Sequence, residues 1–135
     1  MPLLTREEIL ERDDVVYEDV PTPEWGAGAE VRIRGLSAYD RDRFEASVIQ
    51  GTGAQRRVDT CNLRARLVSW CAVDGEGERL FTRSDVKALG EKSGRVVDRL
   101  FKAAQRLSGL TDDDVDELAK NSGSAQAEDS LSDSA

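Results

Sequence analysis

Residues 30–44 read EVRIRGLSAYDRDRF. Val31 and Ile33 alternate with Arg32 and Arg34, the period of a strand with one buried face. Gly35 stops the alternation, and Ser37 with Asp40 has the spacing of a helix cap. The stretch therefore predicts a strand that hands the chain straight to a helix. A lone strand cannot hold itself together in water. The upstream run VVYEDV, residues 15–20, offers a partner through Val15, Tyr17 and Val20. Pro21, Pro23 and the small residues Gly26 to Gly28 lie between the two runs and punctuate strongly. The expectation is a β-hairpin with a long connection.

Working outward, the capping spacing recurs at Thr5–Glu8, Thr82–Asp85 and Thr111–Asp114. In each pair the hydroxyl can accept a first-turn amide, and the acid can reach back while favouring the positive helix end. The pairs map helix starts. The first helix, Arg6 to Glu11, would bury Ile9 and Leu10. The helix from Ser37 would bury Phe44 and Val48, with Tyr39 and Ile49 nearby, before GTG at Gly51–Gly53 breaks it. A helix from Ala54 or Val58 to Ala72 carries Leu63, Leu67, Trp70 and Cys71 on one stripe. DGEGE then makes a turn, and RLF a brief extended piece. Thr82 caps a short helix with Val86 and Leu89. Ser93 caps the most strongly patterned one, with Val96, Val97, Leu100, Phe101, Ala104 and Leu107. Gly109 and Leu110 fit a Schellman ending. Thr111 opens the last helix, which would bury Val115, Leu118 and Ala119.

After Lys120 the sequence NSGSAQAEDSLSDSA holds three acids, no bases and one leucine. It cannot bury enough to offset its ordering entropy and is expected to be a disordered acidic tail. The fold class expected is α+β, mainly α-helical. A short helix and β-hairpin (1–35) precede a bundle of about five helices (36–120) in one small domain, and the tail covers 121–135.

Charge narrows the function. The chain has 19 Lys and Arg against 27 Asp and Glu, a net charge of -8. Nucleic-acid binders need a basic footprint, so this balance argues against one. There is no histidine, which removes the commonest metal ligand and the usual general base. Cys61 and Cys71 are too few for a zinc site, and ten helical residues apart they are about 15 Å distant, beyond disulfide reach. They read as reduced, partly buried thiols. TDDDVDE at Thr111–Glu117 reads as a charged helix start and lacks the glycine and spacing of a calcium loop. GTGAQRR lacks a phosphate-loop lysine and reads as a flexible loop. Ser and Cys nucleophiles find no activating base. The expectations are no catalytic residues, no cofactor, no metal and no membrane span, in a soluble intracellular protein. Trp25, in a Pro/Gly-rich connection, either anchors a partner or folds back over the hairpin. Trp70 belongs to the helical stripe and reads as core.

Four blocks in order carry a resemblance: LLTREEILERDDVVYEDVPTPEWG (3–26), EVRIRGLSAYDRDRFEAS (30–47), NLRARLVSWCAVDGEGERLFTRSDVKALGEKS (62–93) and VVDRLFKAAQRLSGLTDDDVDELAKN (96–121). Together they resemble tail assembly chaperones of long-tailed bacteriophages of actinobacteria. The resemblance implies a non-enzymatic protein of the host cytoplasm, absent from the mature virion. It implies binding to the tape measure protein, which is kept soluble while the tail tube assembles. It also implies contact with the tail tube protein, mainly through a longer frameshifted form, with self-association as a further option. The acidic ending suits the short product. The alternative is a structural tail connector or tail completion protein. A holding chaperone needs exposed apolar surface and repulsive charge, and a helix-in-groove mode suits such a partner. The partner-binding candidates are Tyr17 and Trp25 of the hairpin and Leu36 and Tyr39 of the adjoining helix start.

Overall fold

The computed structural model describes residues 3–50, 57–58 and 62–118, with backbone alone at 49–50 and 57–58. In chain order the elements are α1 (Arg6–Glu11), β1 (Tyr17–Pro21), β2 (Glu30–Arg34), α2 (Ala38–Ser47), β3 (Ile49–Gln50), β4 (Arg57–Val58), α3 (Leu63–Cys71), β5 (Ala72–Val73), α4 (Val86–Gly90) and α5 (Gly94–Leu107). A final helix, α6, covers 112–118. Short 3-10 turns stand at Pro23–Trp25 and Arg83–Asp85. The fold is α+β and mainly helical, as expected.

The hairpin forms where the alternation placed it. β1 and β2 run antiparallel, with Val20 opposite Val31 and Asp19 opposite Arg32. Residues directly opposite share a face. Val20 and Ile33 are buried on the inner face, and burying such side chains is worth roughly 1.5–3 kcal/mol each. The outer face is wet: Arg32 Nε and Nη2 donate to the two carboxylate oxygens of Asp19 at 2.7 and 3.0 Å. This bidentate bond holds the Asp19 carboxyl below the usual carboxylate range. Arg32 also lies 4.4 Å over the Tyr17 ring centroid.

β2 has a second neighbour that the sequence reading missed. β5 pairs with it antiparallel, Ile33 opposite Ala72, making a sheet of order β1-β2-β5. Asp74 to Glu78 then turn the chain, and Arg79 bridges Val73, which is the brief extended piece expected at RLF. The expected helix through Ala72 therefore ends at Cys71, because the open edge of β2 takes the next two residues. Its start also differs. Val58 pairs with Ile49 in β4–β3, and α3 begins only after Asn62, which sits in the left-handed region at φ 56°, where asparagine is tolerated.

α5 packs against α3, and both lie on the sheet. Val96, Leu100 and Ala104 of α5 share one buried cluster with Leu67, Val68 and Cys71 of α3, Phe44 of α2 and Val48 at the end of α2. α5 ends in the Schellman arrangement expected. Gly109 has φ +71°, its amide donates to the Arg106 carbonyl at 3.3 Å, and the Leu110 amide donates to the Gln105 carbonyl at 3.0 Å. The caps hold too. Thr5 and Glu8 exchange bonds at 3.0 and 3.2 Å, and Thr111 and Asp114 at 2.9 and 3.0 Å. Ser37 Oγ accepts the Asp40 amide at 3.1 Å. The Thr82 amide donates to Asp85 at 2.8 Å. Ser93 stands at the cap of α5 without a side-chain bond.

One burial expectation fails. α1 forms over the residues expected, yet none of its residues is buried. A helix of fewer than two turns has too little surface to dock by itself, and Ile9 and Leu10 stay exposed. The readings of Cys61, of the GTG loop, of Ala119 and of the tail 121–135 fall outside the described residues.

Candidate partner-binding surface

The connection between β1 and β2 is held at several points. The Thr22 amide donates to the Ala29 carbonyl at 2.8 Å, and the Trp25 amide to the Thr22 carbonyl at 2.9 Å. Gly26 and Gly28, at φ 144° and 74°, adopt backbone that favours glycine. Arg99 of α5 reaches across. Its Nη1 and Nη2 donate to Glu24 Oε1 and Oε2 at 2.9 and 2.7 Å, and Nη1 also donates to the Pro21 carbonyl at 3.1 Å. The hydrogen bonds from Arg99 pull the Glu24 pKa down to about 2.

Trp25 is therefore presented from a tethered turn. It lines a groove of about 500 Å³ with Leu80, Phe81, Ala88 and Leu89, to which Asp85 and Lys92 bring charge. Phe81 packs against the core, while Trp25 and Leu80 remain 38% and 48% exposed. Trp25 rests beside Leu80, Phe81 and Leu89 and stays partly open to solvent. Trp70, expected in the core, is half-buried with Arg79 over its ring at 4.2 Å.

The other sequence candidates lie elsewhere. Tyr17 opens β1 opposite Arg34, at the far end of the hairpin from the Trp25 connection. Leu36 follows β2 at that same far end, half-buried against the core, with its amide bound to Ser108 Oγ at 3.0 Å. Tyr39, on the first turn of α2, is 67% exposed and accepts a bond from Arg43 Nη1 at 3.2 Å. Trp25 thus stands apart from Tyr17 and Leu36, and its neighbours are Leu80, Phe81 and Leu89.

The sequence reading missed a second apolar surface. Leu3, Leu4, Ile9 and Leu10 are all exposed, Leu3 at 95%. The signal was present in the shortness of α1: four large aliphatic residues crowd a segment that ends in Glu11, Arg12, Asp13 and Asp14, with no long stripe to seat them.

The described residues hold no group of three or more His, Cys, Asp or Glu able to bind a metal. No described helix is long and apolar enough to cross a membrane. Cys71 is buried, which pushes its thiol up to about 12 and keeps it protonated.

Open apolar surface of this kind, on a small helical scaffold, is characteristic of proteins that handle other proteins. The chain belongs to the phage tail assembly chaperone family, whose model matches residues 5–121. The fold is similar to the solved structure of the bacteriophage HK97 tail assembly chaperone, with TM-score 0.50 and 22% identity over 69% of this chain and 85% of that one. Comparison with curated proteins returns no match.

Proposed function

We propose that this chain is a non-enzymatic chaperone that binds the tape measure protein in the host cytoplasm and keeps it soluble while the tail tube assembles. The observation that carries the reading is the tethered groove of Trp25, Leu80, Phe81 and Leu89. An apolar side chain from an amphipathic helix fits such a groove, and a half-exposed tryptophan is the usual kind of anchor. The family assignment supports an assembly role. The exposed Leu3, Leu4, Ile9 and Leu10 add a second contact for a long client, and the net charge of -8 keeps the loaded complex dispersed. Contact with the tail tube protein belongs to a longer frameshifted form.

Co-expression tests the reading. The chain should raise the soluble fraction of the tape measure protein and co-purify with it. Trp25→Ser with Leu80→Ser should lower that yield several-fold while the chaperone keeps its own melting temperature. Stoichiometric recovery of the chain from mature tails, without tape measure binding, would favour a structural tail component instead.

A further inference from the structure

A second pocket lies away from Trp25, against α2 and α3. It encloses about 400 Å³ and is lined by Arg43, Arg66, Arg79 and Arg83 around Trp70, with no acidic residue among the described residues of its lining. Several arginines elsewhere in this acidic chain are paired with acids. Arg32 sits on Asp19, Arg41 on Glu45, Arg64 on Asp98, Arg99 on Glu24 and Arg106 on Glu18. Three of the pocket arginines differ. Among the described residues, Arg43 meets Tyr39, through its hydroxyl and ring. Arg79 spends Nε on the Ser69 carbonyl at 3.2 Å and lies over Trp70, and its two terminal nitrogens have no hydrogen-bond partner among the described residues. Arg83 has no ion-pair partner among the described residues. Burial lowers the Arg79 pKa, Asp40 raises it from a distance, and Arg43 opposes Asp40.

We propose that this arginine pocket is a carboxylate-binding site that receives a Glu- or Asp-bearing segment of a protein partner. Guanidinium groups bind carboxylates through paired, charge-assisted bonds. Gathering the like charges of Arg43, Arg79 and Arg83 in one pocket is electrostatically unfavourable, and an incoming acid offsets that repulsion. The Trp70 floor and Val86 accept the aliphatic part of an acidic side chain. The pocket's size suits one or two such side chains. A nucleic-acid chain brings a line of phosphates that the net charge of -8 repels. The site is separate from the Trp25 groove, so it stands whether or not that groove binds the tape measure protein.

The test is a titration of the full-length chain with a blocked tetraglutamate peptide at low salt. The arginine Nε–H and tryptophan indole signals are followed by NMR, with tetralysine and inorganic phosphate as comparison ligands. Saturable shifts at Arg79, Arg83 and Trp70 that weaken as salt rises are expected with tetraglutamate alone. Arg43→Glu with Arg83→Glu, at exposed positions that leave Trp70 covered, should weaken binding about tenfold or more without lowering the melting temperature. Arg83→Lys should retain part of it. The proposal is overturned by absence of a saturable shift, by equal binding of tetralysine, by phosphate binding where tetraglutamate does not, or by undiminished affinity of the folded double variant.

Discussion

Gly35 and Leu107 touch backbone to backbone: a Cβ on Gly35 would lie 2.3 Å from the Leu107 carbonyl oxygen. The corner between β2 and α2 is thus pressed onto the end of α5, and the Gly35 amide is at the same time bound to the Val16 carbonyl at 2.9 Å. Gly35→Ala should force the corner off α5. Overpacking of this kind costs roughly 1–3 kcal/mol. Gly28→Ala, with open space around it, strains only its own backbone and serves as the comparison. Urea midpoints measure both, and an unchanged midpoint for Gly35→Ala would show that α5 gives way freely.

Thr22 is fully buried, and its hydroxyl has no hydrogen-bond partner among the described residues. Thr22→Val keeps the shape and removes an orphaned polar group, so it should stabilise the fold by roughly 1 kcal/mol. Thermal melting reads the change, and a lower melting temperature would count against the assignment.

Acid should loosen the Trp25 connection. The folded pKa of Glu24, about 2, lies below the ordinary value of 4.5. Its contribution is therefore complete above about pH 4.5 and is lost as the pH falls toward 2. Glu24→Gln should flatten the fall of the urea midpoint across that window and leave the slope above it unchanged. A wild-type slope in the variant would assign the acid sensitivity elsewhere, for example to the Asp19–Arg32 pair.

The α1 arm should matter little for stability. Ile9→Ser with Leu10→Ser removes side chains that touch no core, and the expected change stays within about 0.5 kcal/mol. A drop of several degrees in melting temperature would mean that the arm docks on the fold.

Local codes were the legible part of this fold. The alternation at Val31 and Ile33, the cap pairs, and Gly109 with Leu110 each encode a backbone shape within a few residues, and each shape formed. Long-range demands were less legible. Nothing in Ala72 and Val73 announces a strand, because their extended shape answers the open edge of β2, far away in the chain. For Ile9 and Leu10 the one local hint is the shortness of α1, and whether a surface receives them is decided by the rest of the fold. The candidate surface was half legible for the same reason: Trp25 could be picked out of its turn, whereas Leu80, Phe81 and Leu89 join it only through folding.

Among the described residues, no strand pairs with the outer edge of β1. Bare edges are templates on which chains stack into aggregates. This edge is short and ends in Pro21, so a neighbouring chain finds a donor missing there. The fold thereby blunts its own exposed edge against pairing with another chain.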